Sequence, residues 1–298
     1  MLRNIKNIAT KLNSKFYFNY NIAQQLWFQT GGLVAIYCIV FDDKELEIIL
    51  NNIDGMQYEI IGAGSNLLIR DGGFSGIILK LGKYFNNISI NEDTLDVGAS
   101  ILDTNLSKFA LMNSIKNFEF YSGIPGSIGG AIKMNAGCYG NETKNILKNV
   151  TIMNKKGKKI TLTKKNINLS YRSSGLSEGD IITSACYDIH YGQKDEIERM
   201  MKDIKLNREK MQPQKIKTSG STFKNPKNNY AAKLIEMAGC KGLSVGDACV
   251  SEKHANFLIN TNKATANQIE NLGKIIIDKV FEKFQIRLDW EIKILGNQ

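Results

Sequence analysis

The chain has little of what several protein classes require. With only two histidines, His190 and His254, a histidine metal cluster is excluded and a Ser-His-Asp hydrolase has few ways to be built. No G-x-S-x-G elbow is present, and no G-K-[ST] follows a glycine cluster, which removes the hydrolase nucleophile turn and the P-loop. The five cysteines, Cys38, Cys138, Cys186, Cys240 and Cys249, are odd in number, scattered and never spaced C-x-x-C. Neither a disulfide framework nor a zinc site is expected from them; a reducing cytoplasm is. The longest apolar stretch near the front, LVAIYCIVF at 33 to 41, falls far short of the roughly 20 residues a bilayer span needs. The opening MLRNIKNIATKLNSKF lacks the apolar core and cleavage site of a secretory signal and reads as a short basic helix. No internal repeat or low-complexity linker interrupts the rest, so a compact fold is expected.

What is present is enough apolar content, 43% of 298 residues, for two or three domains. The net charge of +10 is spread through a lysine-, isoleucine- and asparagine-rich text. That distribution suits a phosphate-bearing small ligand better than nucleic acid, whose binding is not expected. Up to about residue 195 short β-rich runs dominate; beyond it KDEIERMMKDIKLNREKM and ATANQIENLGKIIIDKVFEKF are helically periodic. YEIIGAGSNLLIRDGGFSGIILKL reads as strand, glycine loop, strand, turn, strand, and VTIMNKKGKKITLT as a hairpin with a lysine-glycine tip. IRLDWEIKIL alternates, with Ile286, Leu288, Trp290, Ile292 and Ile294 on one face and Glu291 on the other.

Glycine gives the sharper signal. SGIPGSIGGAIKMNAGCYG, residues 122 to 140, is crowded with glycine. Gly62 and Gly64 of IGAGSN begin like a dinucleotide fingerprint, but the third glycine is missing and the strand-like LLIR follows where a Rossmann helix should start. Three such loops, Gly62 to Asn66, Asp71 to Gly73 and Gly123 to Gly130, are each explicable as tight turns. Together they suit backbone N–H groups turned toward a diphosphate, hence a nucleotide-like cofactor. Polar residues set in apolar or glycine-rich text form a second group: Arg172 in LSYRSS, Ser221 and Asn225 in SGSTFKNP, and His254 in VSEKHANFLIN.

Taken in order, IGAGSNLLIRDGGFSGIILKL, EFYSGIPGSIGGAIKMNAGCYG, LSYRSS, GSTFKNP, VSEKHANFLIN and LDWEIKILG resemble the UDP-N-acetylenolpyruvoylglucosamine reductases, flavoenzymes of peptidoglycan synthesis, over about residues 20 to 296. The resemblance implies an α+β fold: a two-subdomain FAD-binding module of the vanillyl-alcohol-oxidase/PCMH type, at 1–85 and 86–195, and a C-terminal α/β substrate domain at 196–298. It implies non-covalent FAD, NADPH as co-substrate and a UDP-sugar enolpyruvyl ether as substrate; a cytoplasmic monomer is expected beside it. The cofactor residues it implies are Gly62, Ala63, Gly64, Ser65 and Asn66, then Gly123, Ile124, Pro125, Gly126, Ser127, Gly129, Gly130, Asn135 and Gly137. Arg172 would hold the enolpyruvyl carboxylate, Ser221 would give the proton to C2, and Glu291 would neutralise the developing enol. Tyr171, Lys224, Asn225 and His254 would meet the substrate.

The sequence departs from the family at TGGLVA, where Leu33 and Val34 replace a usual proline-alanine and loosen the turn. The short connection to Gln212-Pro213 places the chain in the shorter branch of the family, without its substrate-covering insertion. Two other readings predict differently: an RNA- or nucleotide-binding protein without chemistry would be colourless and salt-sensitive, and another flavin oxidase of the superfamily would not need Ser221 or Glu291.

Overall fold

The computed structural model describes residues 2–53 and 55–298. Its chain divides into two compact units, one of Met1–Phe18, Ile36–Ala63 and Gly76–Arg208, the other of Asn19–Ala35, Gly64–Ser75 and Glu209–Gln298.

The first unit is built on a five-stranded antiparallel sheet in the order Lys159–Thr163, Leu147–Met153, Ile181–Asp188, Thr94–Gly98, Ile88–Asn91. The lysine-glycine hairpin forms as read, with Met153 opposite Lys159 and Gly157 turning the tip at φ +68°. Alternation along these strands buries Leu95, Val97, Val150, Ile152, Ala185 and Tyr187 on one side, as a half-covered sheet requires. The short helix Ile128–Lys133 packs on the two central strands. Below it Phe118, Phe120, Tyr121 and Tyr187 form a buried aromatic cluster, the two tyrosine hydroxyls 3.2 Å apart and Tyr121 also reaching Thr143. A second sheet runs Lys15–Asn21, Leu33–Val40, Phe74–Leu81, Tyr58–Ile61, its last pair parallel.

Helix Asp43–Asn51 is started by the Asp42 side chain, which accepts from the Glu45 N–H. Its Glu45 is buried and accepts from the backbone N–H and side chain of both Asn13 and Ser14, at 2.6–3.0 Å. Those donors hold its carboxyl below the usual value against a desolvation cost that acts the other way.

The second unit packs helices Ala231–Met237 and Ala266–Phe284 with a three-stranded antiparallel sheet of Ser244–Val245, Ala248–Val250 and Leu258–Asn260. Both long helices read from the sequence are present, Lys194–Met211 and Ala266–Phe284. Thr265 and Gln268 close a capping box at the start of the latter, and Gln285 ends it in the left-handed region at φ +56°. Asp71 adds its carboxylate to the N–H groups of Ala266 and Asn267, and Gly73 N–H is spent on the Arg70 carbonyl. The Asp71–Gly73 turn therefore also caps that helix through the Asp71 side chain. Arg70 pairs with buried Glu270 at 2.8 Å and also reaches the Gly296 carbonyl. In TGGLVA, Leu33 is exposed while Val34 is buried, and a Cβ on Gly32 would fall 2.4 Å from the Asp71 carbonyl oxygen, so packing fixes that turn without proline.

Candidate active site

In the first unit, residues 99–103 run antiparallel to the glycine block: Ile128 and Gly129 donate to the carbonyls of Ile101 and Ala99, and Asp103 donates to that of Gly126. Ile124 N–H caps the turn before it by bonding to the Tyr121 carbonyl. The N–H groups of Gly126 and Ser127 find no protein acceptor among the described residues. Two adjacent unspent donors in a half-buried loop are an anion-binding arrangement.

The glycines beside them serve a purpose the sequence did not separate. A Cβ on Gly62 would lie 2.2 Å from Ser127 Oγ, on Gly123 2.9 Å from Ile204, on Gly126 2.6 Å from Asp103 Oδ2, and on Gly137 2.5 Å from the Asn141 carbonyl oxygen. At these positions protein presses where a Cβ would stand, and close packing holds the block in shape; at Gly130 and Gly140 that side is open. Gly62, just past the end of strand Tyr58–Ile61, thereby reaches the block at Ser127 from the chain's other glycine loop. Beneath Gly126 both Asp103 carboxyl oxygens are buried without a partner, and burial pushes that acid well above its usual value. Unspent donors above a buried acid whose pKa is raised fit a bound diphosphate cofactor.

Arg172 sits at φ +56°, unusual for a residue with a side chain, in a turn closed by reciprocal bonds between Ser170 and Ser173. Its guanidinium lies 5.0 Å from the ring centre of exposed Tyr171. Asn135 is fully buried. Its amide spans Glu142 at 2.7 Å, the Ser170 carbonyl at 3.2 Å and the Lys144 N–H at 3.0 Å, which ties the glycine block to the Arg172 turn. Burial pushes the Cys138 thiol up to about 11, with Arg208 and Arg172 acting in the opposite sense.

In the second unit, Ser221 and Glu291 are brought together by main chain. Thr222, wholly buried, accepts at its carbonyl from the Glu291 N–H at 2.8 Å and donates to the Asn256 carbonyl at 2.8 Å. Ser221 bridges to Phe257 on one side and Phe223 to Trp290 on the other. Asn256 makes a two-way bond with the Phe223 main chain, at 2.9 and 2.8 Å, imitating a strand neighbour. Asn66, next after Gly64 and Ser65, donates to the Glu291 carbonyl at 3.1 Å and accepts from Lys293 N–H. Gly64 is held at φ +72° with no room for a Cβ beside the Gln25 carbonyl. Lys224 N–H bonds to Asp289, and Asn225 accepts from Ala231 N–H at a helix start. His254 rests edge-on to Phe257 with buried Nδ1 unpartnered; burial lowers its pKa, so the ring is neutral near pH 7.

Thr222 and Asn256 organise this site and carried no sequence signal beyond lying beside Ser221 and His254. The alternation from 286 to 295 survives as burial of Leu288 and Ile292, but only Lys293–Leu295 is regular strand, paired parallel with Leu67–Ile69. Local text could not supply that distant partner.

Residues 40–163 match the family model of an FAD binding domain, and residues 212–295 that of the UDP-N-acetylenolpyruvoylglucosamine reductase C-terminal domain. The UDP-N-acetylenolpyruvoylglucosamine reductase of Rickettsia conorii is 41% identical over 93% of this chain and 95% of its own. That of Rickettsia typhi is 40% identical over 97% and 99%. The crystal structure of the Thermus caldophilus reductase is similar with a TM-score of 0.83 at 29% identity, covering 95% of this chain and 99% of that one. Sequence likeness along nearly the whole length, with the same fold beneath it, means that the chain belongs to the UDP-N-acetylenolpyruvoylglucosamine reductase family.

Proposed function

We propose that Arg172, Ser221 and Glu291 carry the family's reaction in this chain: NADPH-dependent reduction of UDP-N-acetyl-3-O-(1-carboxyvinyl)-glucosamine to UDP-N-acetylmuramate for peptidoglycan. The observation that supports it most is the ladder through Thr222, which holds the Ser221 strand against the Glu291 backbone. When bound, FAD would supply the hydride chemistry between NADPH and C3 of the enolpyruvyl ether. Gly62 to Asn66, Gly123 to Gly130, Asn135 and Gly137 are the residues we assign to holding it, with the Gly126 and Ser127 N–H groups toward the diphosphate.

The chain's own work is electrostatic and protonic. Arg172 offers a planar fork to the substrate carboxylate. Glu291 neutralises the charge that grows at the enol, and Ser221 gives its hydroxyl proton to C2. Tyr171, Lys224, Asn225 and neutral His254 bind the UDP-sugar, His254 as a hydrogen-bonding ring rather than a cation. A Cys138 thiol held protonated is a poor nucleophile, in keeping with non-covalent flavin. Residues 1–85 and 86–195 are assigned to the cofactor and 196–298 to substrate, in a cytoplasmic monomer that takes no nucleic acid partner. Among the described residues no helix is long and apolar enough to cross a membrane.

Rapid-mixing kinetics separate the assignments. Ser221→Ala and Glu291→Gln should leave flavin reduction by NADPH near the wild-type rate while reoxidation by substrate slows by about a hundredfold or more. Equal slowing of both halves removes the residue concerned from its assigned role.

A further inference from the structure

Cys138 is half-buried, its thiol pushed up to about 11 and bonded to the Phe120 carbonyl, so it offers no reactive site. The helix Lys194–Met211 offers more. It is charged and largely exposed, yet one turn of it is committed to the glycine block. Ile204 is buried and its Cγ2 stands 2.9 Å from where a Gly123 Cβ would be, and Arg208, four residues on and so on the same face, donates to the Gly123 carbonyl at 3.0 Å. The Arg208 guanidinium is half-buried, and burial lowers its pKa, with Cys138 and Tyr139 at the far end of the block acting against that. A desolvated cation fixed on a backbone carbonyl is a strong, directional contact.

We propose that Arg208 is a positioning residue for the flavin cradle. Its bond to Gly123, with Ile204 wedged beside it, fixes the start of the block. The unspent N–H groups of Gly126 and Ser127 then stay in place for the cofactor. Lysine can restore the charge there but not the planar fork. The inference rests on the assignment of the glycine block to FAD.

The test is FAD affinity of the deflavinated full-length protein, followed by quenching of flavin fluorescence, for wild type, Arg208→Ala, Arg208→Lys and Gly126→Ala. Arg208→Ala should weaken FAD binding by about tenfold or more, Arg208→Lys by less, and millimolar guanidinium chloride should restore part of the Ala loss. Far-ultraviolet circular dichroism should be unchanged, and the visible flavin spectrum of refilled Arg208→Ala should shift. An Arg208→Ala protein that binds FAD as tightly as wild type overturns the proposal. So does a loss that guanidinium and lysine both fail to mend, which indicates general damage. If Gly126→Ala also binds FAD normally, the block is not the cradle and the underlying assignment fails with it.

Discussion

Asp103 and Glu45, both buried in the first unit, differ in what surrounds them. Four donors from Asn13 and Ser14 meet Glu45 and lower its pKa, whereas Asp103 meets none and its pKa rises well above the usual value. The signs of their pH dependence are therefore opposite. The stability Glu45 contributes is present above its unfolded value, near 4.5, and is lost as pH falls through the lower folded value. Burial raises the Asp103 pKa in the folded chain, so stability falls as pH climbs from its unfolded value, near 3.8, toward the folded one. Asp103→Asn, of equal shape and never charged, should raise the melting temperature of the flavin-free protein at pH 8. Glu45→Gln should lower it, by about 2 kcal/mol of stability, because the amide replaces an acceptor with a donor facing other donors. Thermal melts from pH 4 to 8 check both, and an Asp103→Asn protein less stable than wild type at pH 8 contradicts a raised Asp103 pKa. None of this was legible in the sequence, where both residues stand in ordinary helix-start text; burial without partners is a tertiary fact.

Among elements, the turn-and-strand chemistry was the most readable. The hairpin tip at Gly157 and the three strands of 58–81 follow local rules, with β-branched runs between residues that permit positive φ. Pairing was not readable, since Leu67–Ile69 finds its partner at Lys293–Leu295. Gly273 shows the same limit. A glycine in the middle of helix Ala266–Phe284 costs about 1 kcal/mol against alanine, and local propensity treats it as a flaw. Trp290 explains it: a Cβ there would lie 2.0 Å from the indole, whose ring also rests on Phe223 at 5.0 Å. Because Glu291 follows Trp290, Gly273→Ala should do more than destabilise the helix packing. It should slow substrate-driven flavin reoxidation several-fold while NADPH reduction is spared, as rapid mixing would register. A more stable Gly273→Ala protein with unaltered kinetics would show that the tryptophan has room to move.

For the whole molecule, the α+β class, the FAD module and the family were legible from six motifs in order. Those motifs are constrained by chemistry at fixed backbone positions. The division into compact units was less so, because each unit is assembled from three separated segments, which no composition shift along the chain marks. Each unit is internally organised: unspent donors over the buried, unpartnered Asp103 in one, a Ser221–Thr222–Glu291 ladder in the other. As a flavoenzyme of this family, the protein should run two successive half-reactions on one FAD. The most direct measurement follows the visible flavin absorbance of the purified protein without oxygen, on adding NADPH and then the enolpyruvyl ether of UDP-N-acetylglucosamine. Bleaching with NADPH and full recovery with the ether are expected. A yellow protein that bleaches and stays bleached after the ether is added, or one that takes up no FAD, would contradict this expectation.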